Sequence, residues 1–501
     1  VRFICIHGHF YQPPRENPWT GEIELQPSAA PFHDWNQRVS AESYLPNTRV
    51  LIPDPGGRVV RLLNNYSHIS YNFGPTLLAW LEQAEPETYQ AIIRSDIEAR
   101  PRFSGHGPAI AQCYNHIIMP LANSRDKRTQ VIWGLRDFEH RFQRKPEGMW
   151  LPETAVDIET LDIMAELGIR FTILAPHQVR LAPTAYRLPP TAVDSHLPYS
   201  VRLPSGRGIA VFIYDAGIAG DIAFGDLLKD ADRLYQRLMT AFSADDRNQL
   251  VSVATDGETY GHHHPGGDGA LAWCLRRIEA DALAKLTVYG EYLEQHAPTQ
   301  EAQVIQGTSW SCAHGVERWR SDCGDNSGSH PDWNQKWRAP LREALDWLRD
   351  RLSGFYETRM KQLVTDPWLC RDDYIDIILD PGPVGAASQP REERIREFII
   401  RHARTELRGD QRAQVVKLLQ LQKLAMLMFT SDAWFFDDIS GLEPVQNLSY
   451  AAQAIQLAQE LGSESLESGF LDILARTESN IPAQGTGADI YRRLLQSRIP
   501  R

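Results

Sequence analysis

Residues 148–174 constrain this chain more than any other stretch. Gly148-Met149-Trp150-Leu151-Pro152-Glu153 reads as the end of a buried strand. Asp157 stands where an N-cap accepts a backbone N–H, and residues 158–167 place Leu161, Met164 and Leu167 on one helical face. Gly168 can close that helix in the left-handed conformation, and residues 169–174 form a second buried strand. Strand, helix, strand is the unit of a parallel α/β sheet. Short apolar runs at 1–6, 67–73, 209–214 and 250–254 read as further strands, with helical patterns at 75–83, 86–100, 114–121 and 125–144. This order predicts a parallel barrel or a doubly wound sheet, with chemistry where strands end and loops begin. Beyond about residue 332 the pattern changes to long helices at 338–352, 391–408, 411–429 and 448–461. Their linkers hold Pro381, Pro383, Asp437, Asp438 and Gly441.

Composition narrows the function. Of 501 residues, 42% are hydrophobic and 23% charged, the balance of a globular chain rather than a disordered one. No apolar run reaches the roughly 18 residues of a membrane span. The opening apolar run ends too soon at His7 for a signal peptide, so a cytoplasmic location is expected. Net charge is −12 with no Lys/Arg block, which argues against nucleic acid and against a membrane surface as partners. Six cysteines are scattered with no C-x-x-C, so reduced thiols are expected rather than a disulfide framework or a thiolate zinc site. Many aromatic residues instead stand beside polar ones in loop-like segments: Tyr11, Trp19 and Trp35; Trp310, Trp319, Trp333 and Trp337; Trp434, Phe435 and Phe436. Aromatic faces next to carboxylates suit sugar rings, whose C–H faces stack while their hydroxyls need hydrogen bonds.

The strand ends carry the reactive residues. The first delivers His7 and His9, which share one side of a strand as i and i+2 and so can face one cleft. Another ends in Trp150-Leu151-Pro152-Glu153. A later one delivers Asp256 and Glu258, again i and i+2, followed by Tyr260 and by His262, His263 and His264. Two close carboxylates repel, so one is expected to have a raised pKa or to be neutralised by a partner such as a histidine, which is how a site obtains a protonated acid near neutral pH. Carboxyl groups from two strands flanking a cleft meet the requirement for glycoside cleavage. The same residues leave two other readings open. One is a metal-dependent carbohydrate deacetylase or α-mannosidase, with His7, His9, Asp256 and the histidine triplet as ligands. The other is a non-catalytic glucan-binding protein.

At these residues the chain resembles glycoside hydrolase family 57. His7-Gly8-His9-Phe10-Tyr11-Gln12-Pro13 is similar to the family's first motif. Gly148 to Glu153 is similar to the motif bearing the nucleophile, and Thr255-Asp256-Gly257-Glu258-Thr259-Tyr260-Gly261 to the one bearing the acid/base. Ser309-Trp310-Ser311-Cys312-Ala313-His314-Gly315 falls where the last motif belongs. Gly105-His106-Gly107-Pro108-Ala109 departs from the remaining motif, with Pro108 where a Glu is usual. The loop following Phe212 resembles one of the family's loops, with Tyr214 where Arg is common, and residues 431–438 resemble a helical-region segment that reaches the active site in relatives.

The resemblance implies an α/β fold: a distorted (β/α)7 barrel over 1–335, then a mainly α-helical domain over 336–501 that contributes to the cleft. It implies a retaining α-glycosidase or transglycosylase acting on an α-glucan or maltooligosaccharide, with no cofactor and no catalytic metal. Glu153 is the implied nucleophile and Asp256 the acid/base. His7, His9, His106, Trp150, Tyr214, Glu258, Trp310, His314, Trp434 and Asp437 are the implied substrate-binding residues. Oligomeric state is left open by the sequence.

Overall fold

The computed structural model describes residues 1–53, 59–183, 192–245, 247–379 and 391–498; Pro381 and Pro383 lie outside them. The chain divides into two units. The first comprises Val1–Pro14, Leu25–Cys113 and Arg141–Trp310; the second comprises Arg15–Glu24, Tyr114–His140 and Ser311–Arg501.

The first unit is a distorted seven-stranded barrel. Its strands are β1 (Arg2–Phe10), β2 (Ser70–Phe73), β3 (Ala111–Gln112), β4 (Met149–Trp150), β5 (Phe171–Leu174), β6 (Gly208–Ile213) and β7 (Gln249–Asp256). β1 lies parallel between β7 and β2. Tyr71 N–H donates to Pro108 O, and Ile110 N–H to Tyr71 O, which carries the sheet from β2 towards β3. β3 pairs in parallel with β4, Gly148 bridges to Phe171 at the start of β5, and β5 pairs in parallel with β6. Asp215 N–H donates to Ser252 O at 2.7 Å and closes the ring between β6 and β7. The distortion has a local origin: β3 and β4 are two residues each, and the last closure rests on residues just past the end of β6.

Alternation along β1 explains its burial. Ile4, Ile6 and Phe10 face one way and Cys5, His7 and His9 the other, and every residue from Phe3 to Phe10 is buried. The register sets Cys5 opposite Ser252, His7 opposite Ala254 and His9 opposite Asp256 on β7, with His7 opposite Ser70 and His9 opposite Asn72 on β2. A polar row therefore runs up the barrel interior and ends at its carboxyl-terminal rim. Helix α1 (Ile158–Glu166) returns the chain from β4 to β5. The Asp157 carboxylate accepts from Thr160 N–H at 2.8 Å, Leu161 and Met164 are buried, and Gly168 takes φ +92°. Burying those two side chains stabilises the unit by about 1.5–3 kcal/mol each.

The second unit is mainly helical. α2 (Arg338–Met360) buries Leu341, Leu345, Leu348, Leu352 and Tyr356 at helical spacing. It packs on α3 (Gly409–Leu427), which in turn packs on α4 (Leu442–Glu460). Remote segments join by hydrogen bonds. Gln446 Nε2 donates to Glu16 O at 2.8 Å, Trp19 Nε1 to Gln456 Oε1 at 2.9 Å, and buried Arg371 to Asp126 Oδ1 at 2.8 Å. Residues 114–121, expected to be helical, are instead irregular apart from a 3-10 turn at Met119–Leu121. His116 has φ +53°, and Pro120 supplies no N–H, so an α-helix cannot run through them. No described helix is long and apolar enough to cross a membrane.

Candidate active site

Strand β1 brings His7 and His9 to the rim, and β2 and β3 bring the side chains that orient them. His7 Nε2 donates to Asn72 Oδ1 at 3.0 Å, and its Nδ1 lies 2.9 Å from Ser70 Oγ. Asn72 Nδ2 in turn donates to His9 Nδ1 at 3.0 Å and to Gln112 Oε1 at 2.8 Å. Burial pushes His7 down to about 3, against the opposing bond from Asn72, so its ring is neutral at physiological pH. Trp150, fully buried, stacks on both imidazoles with centroids 5.1 Å from His7 and 4.9 Å from His9.

Glu153 follows β4 on a turn with an uncommon backbone. Its φ is +56° and that of Thr154 +50°, two consecutive non-glycine residues in the left-handed region. Such strain costs on the order of 1–3 kcal/mol per residue and persists only where the surroundings enforce it. Here Gln178 does so. Its Nε2 donates to Thr154 O at 2.8 Å and to Thr308 O at 3.0 Å, and Thr154 Oγ1 donates back to Gln178 Oε1 at 2.9 Å. The same clamp holds the segment carrying Trp310, whose neighbour Ser309 accepts from His177 Nε2 at 2.8 Å.

Trp310 holds Glu153 and packs beside the strand ends that carry His9 and Tyr214. Its indole Nε1 donates to Glu153 Oε2 and its backbone N–H to Glu153 O, both at 3.1 Å. Its ring lies 5.0 Å from Trp150, 6.2 Å from Tyr214 and 6.3 Å from His9. Asp256 is the last residue of β7, in register with His9. Burial raises the Tyr214 phenol, and the nearby charge of Asp256 raises it further, so Tyr214 remains a neutral hydroxyl beside that carboxylate. Asp256 is exposed, while Glu153 and Trp310 are half-buried. A half-buried carboxylate with one oxygen held by an indole, and an accessible carboxylate near a phenol, are suited to attack and to proton transfer respectively.

The other expected contact residues have partners of their own. Glu258 does not share the rim with Asp256. The strand ends at Asp256, and Gly257–Thr259 turns as a 3-10 helix. Glu258 is buried, and its Oε1 accepts from Tyr11 N–H at 2.9 Å and Tyr44 Oη at 2.5 Å. Trp150 has no face left for a sugar, since it is enclosed with His7 and His9. His106 pairs at 2.8 Å with Glu147, which precedes β4, and at 2.8 Å with Glu294, away from the residues that follow the strand. In the second unit, Trp434 is fully buried beneath Arg342, 3.9 Å from its ring centroid, and its Nε1 donates to Arg338 O. Asp437 is buried and accepts from Ser327 N–H at 2.8 Å and from Ser327 Oγ. His314 is exposed and lies against Asp325. Of the proposed metal ligands, His7 has both ring nitrogens bonded, His262 Nδ1 bonds Glu42 at 2.5 Å, and His264 Nε2 donates to Ala223 O at 3.0 Å. Asn72, Gln112 and Gln178 escaped sequence reasoning. Ser70 and Asn72 form an i, i+2 polar pair at a strand end, the same signal that marked His7 and His9.

Burial raises Glu258 from its ordinary 4.5 up to about 7, although bonds from Tyr44 and Tyr11 act the other way. Between those values the folded chain keeps a proton that the unfolded chain has lost, so stability falls as pH rises through the window, by about 3 kcal/mol overall. Glu258→Gln keeps an acceptor for both donors and removes the titration. Denaturant unfolding at pH 5 and pH 8 should show the variant gaining about 2.5 kcal/mol relative to the parent at the higher pH, since the first part of the loss is already present at pH 5; an unchanged difference contradicts the assignment.

Two family models match the chain. Glycosyl hydrolase family 57 matches residues 11–305, and a domain of unknown function (DUF3536) matches residues 333–500. Among curated relatives, a 4-alpha-glucanotransferase of Thermococcus litoralis is 21% identical over 239 residues, covering 46% of this chain and 33% of the relative. An alpha-amylase of Pyrococcus horikoshii is 22% identical over 235 residues, covering 46% and 34%. The chain thus spans about a third of the length of these relatives. Among solved structures, an exo-type maltose-forming amylase from Pyrococcus sp. ST04 is similar with a TM-score of 0.70 at 15% identity, over 100% of this chain and 89% of that one. A family 57 branching enzyme from Thermococcus kodakaraensis is similar with a TM-score of 0.57 at 13% identity, over 100% and 94%. At such identities the structures bear on the fold alone. The family 57 model, by contrast, covers more than half the sequence and runs through the turns bearing Glu153 and Asp256; this chain belongs to glycosyl hydrolase family 57.

Proposed function

We propose that the barrel unit is a retaining α-glycosidase or transglycosylase acting on an α-glucan. The observation that carries this reading is the Trp310 bridge: one indole holds Glu153 and packs beside Tyr214, the neighbour of Asp256. Glu153 is the nucleophile. The indole N–H holds Oε2, and a carboxylate oxygen of Glu153 attacks the anomeric carbon. Asp256, protonated at that moment, donates to the departing glycosidic oxygen. A covalent glycosyl–Glu153 ester results. Asp256, now ionised, takes a proton from water or from a sugar hydroxyl, which attacks the ester and restores the original anomeric configuration. The second half of the cycle decides between hydrolysis and transfer.

His9, Tyr214 and Trp310 are the substrate contacts favoured by this reading, with His7 and Trp150 acting through His9. The relatives' printed activities, glucan transfer and amylase action, supply the substrate class. Incubating the protein with a panel of α-linked maltooligosaccharides and glucans, with products resolved by linkage and anomer, tests it. Products whose first-formed anomer is α support the proposal. First-formed β anomers, or binding without turnover on every substrate, contradict it.

A further inference from the structure

Early in the second unit the chain presents two short arms of the same form, Cys312-Ala313-His314 and Cys323-Gly324-Asp325. Each offers potential metal ligands at i and i+2, and eight residues separate the arms. The fold brings them together: one ligand atom from each of the four side chains lies within 4.8 Å of the other three. Asp325 Oδ2 is the meeting point, 3.4 Å from His314 Nδ1 and 3.7 Å from Cys323 Sγ. Cys312 is buried, Cys323 and Asp325 half-buried, and His314 exposed. Gly324 takes φ +87°, which lets Cys323 and Asp325 fold back towards the first arm.

The surroundings fix this loop from behind. Asp325 O accepts from Arg338 Nη1 at 2.8 Å, and the Arg338 side chain is fully buried. Gln335 N–H donates to Asp322 Oδ1 at 2.8 Å, and Ser327 is tied by two bonds to the buried Asp437. Backbone supports of this kind set the direction of ligating side chains. A His314–Asp325 ion pair alone would not explain the convergence of two thiols on the same carboxylate.

We propose that Cys312, His314, Cys323 and Asp325 bind one zinc ion in a closed tetrahedral site. Two sulfurs, one imidazole and one carboxylate form a ligand set that zinc favours over hard cations such as calcium or magnesium. Zinc bonds of about 2.0–2.3 Å give ligand–ligand edges of about 3.3–3.8 Å, so the cage tightens by at most about 1.5 Å on binding. Both thiols lose their protons to solvent as the metal–sulfur bonds form, and the imidazole binds neutral. Four protein ligands leave no open position, so the ion braces the segment from 312 to 325 and takes no part in bond cleavage. Nothing in this assignment depends on the glucan reading.

The test is metal analysis of the full chain purified without chelator, together with cobalt substitution. The expected result is about one zinc per chain, falling to a small fraction in Cys323→Ser and in His314→Gln. The exposed position of His314 makes the second variant the milder one for folding, and circular dichroism on both checks that the fold persists. Cobalt added to metal-free, reduced protein should give the visible bands of a tetrahedral site and thiolate charge transfer in the near ultraviolet, both reduced in each variant. Zinc well below stoichiometry with no cobalt spectrum overturns the proposal. So does a Cys312–Cys323 disulfide in protein isolated under reducing conditions, or zinc that stays in both variants.

Discussion

Glu153→Gln is expected to lower turnover of an α-glucan by on the order of 10⁴-fold or more, with the barrel still folded. An amide cannot form the glycosyl ester, so the route through a covalent intermediate is closed. The amide oxygen still accepts from Trp310 Nε1, and the left-handed turn at residues 153 and 154 is enforced by Gln178 rather than by the carboxylate charge. A thermal unfolding midpoint close to the parent's, beside lost activity, is the combined signature. Activity within tenfold of the parent would remove Glu153 as the nucleophile.

Asp256→Asn is expected to behave differently with different leaving groups. On glucans, where the departing oxygen needs a proton, turnover should fall by about 10²–10⁴-fold. On an α-glucosyl fluoride, whose leaving group needs little protonation, formation of the ester should be largely spared. Its breakdown, which needs a base, should then limit the rate, so a burst of fluoride precedes a slow steady state. Asp256 is exposed, which makes the substitution mild for folding. An equal loss on both substrates would mean that residue 256 positions the substrate and moves no proton.

The positions of these carboxylates were legible in the sequence: Asp256 is the last residue of β7 and Glu153 stands on the turn that follows β4, and strand ends in such folds face the chemistry. The cap at Asp157 and the stop at Gly168 were legible for a similar reason: short-range hydrogen bonding and the freedom of a single φ decide them. Glu258 was misplaced because alternation holds only while the strand lasts. At Gly257 the backbone passes so close to the Phe10 ring that an added Cβ would lie 2.3 Å from it, and the chain turns there. Glu258 then points to Tyr11 and Tyr44 instead of the rim.

Trp434 shows the limit of reading aromatic residues beside polar ones as sugar platforms. Its polar neighbour in space is Arg342, more than ninety positions earlier, and the pair is buried. The placement of segments 15–24 and 114–140 in the second unit is likewise a matter of long-range contacts that periodicity does not encode. A search for C-x-x-C passes over Cys312, His314, Cys323 and Asp325, because the repeated spacing there is i, i+2 with a different second ligand in each arm.

Covalent attachment of Glu153 to the sugar is the step on which the proposed mechanism rests. It is tested most directly by incubating the protein with 5-fluoro-α-glucosyl fluoride, which forms the ester faster than it loses it, and then digesting the protein for mass spectrometry. One fluoroglycosyl unit per chain on the peptide containing Glu153, absent in Glu153→Gln, is the predicted result. A stable adduct on any other residue, or turnover of natural glucans that proceeds with inversion, would contradict it.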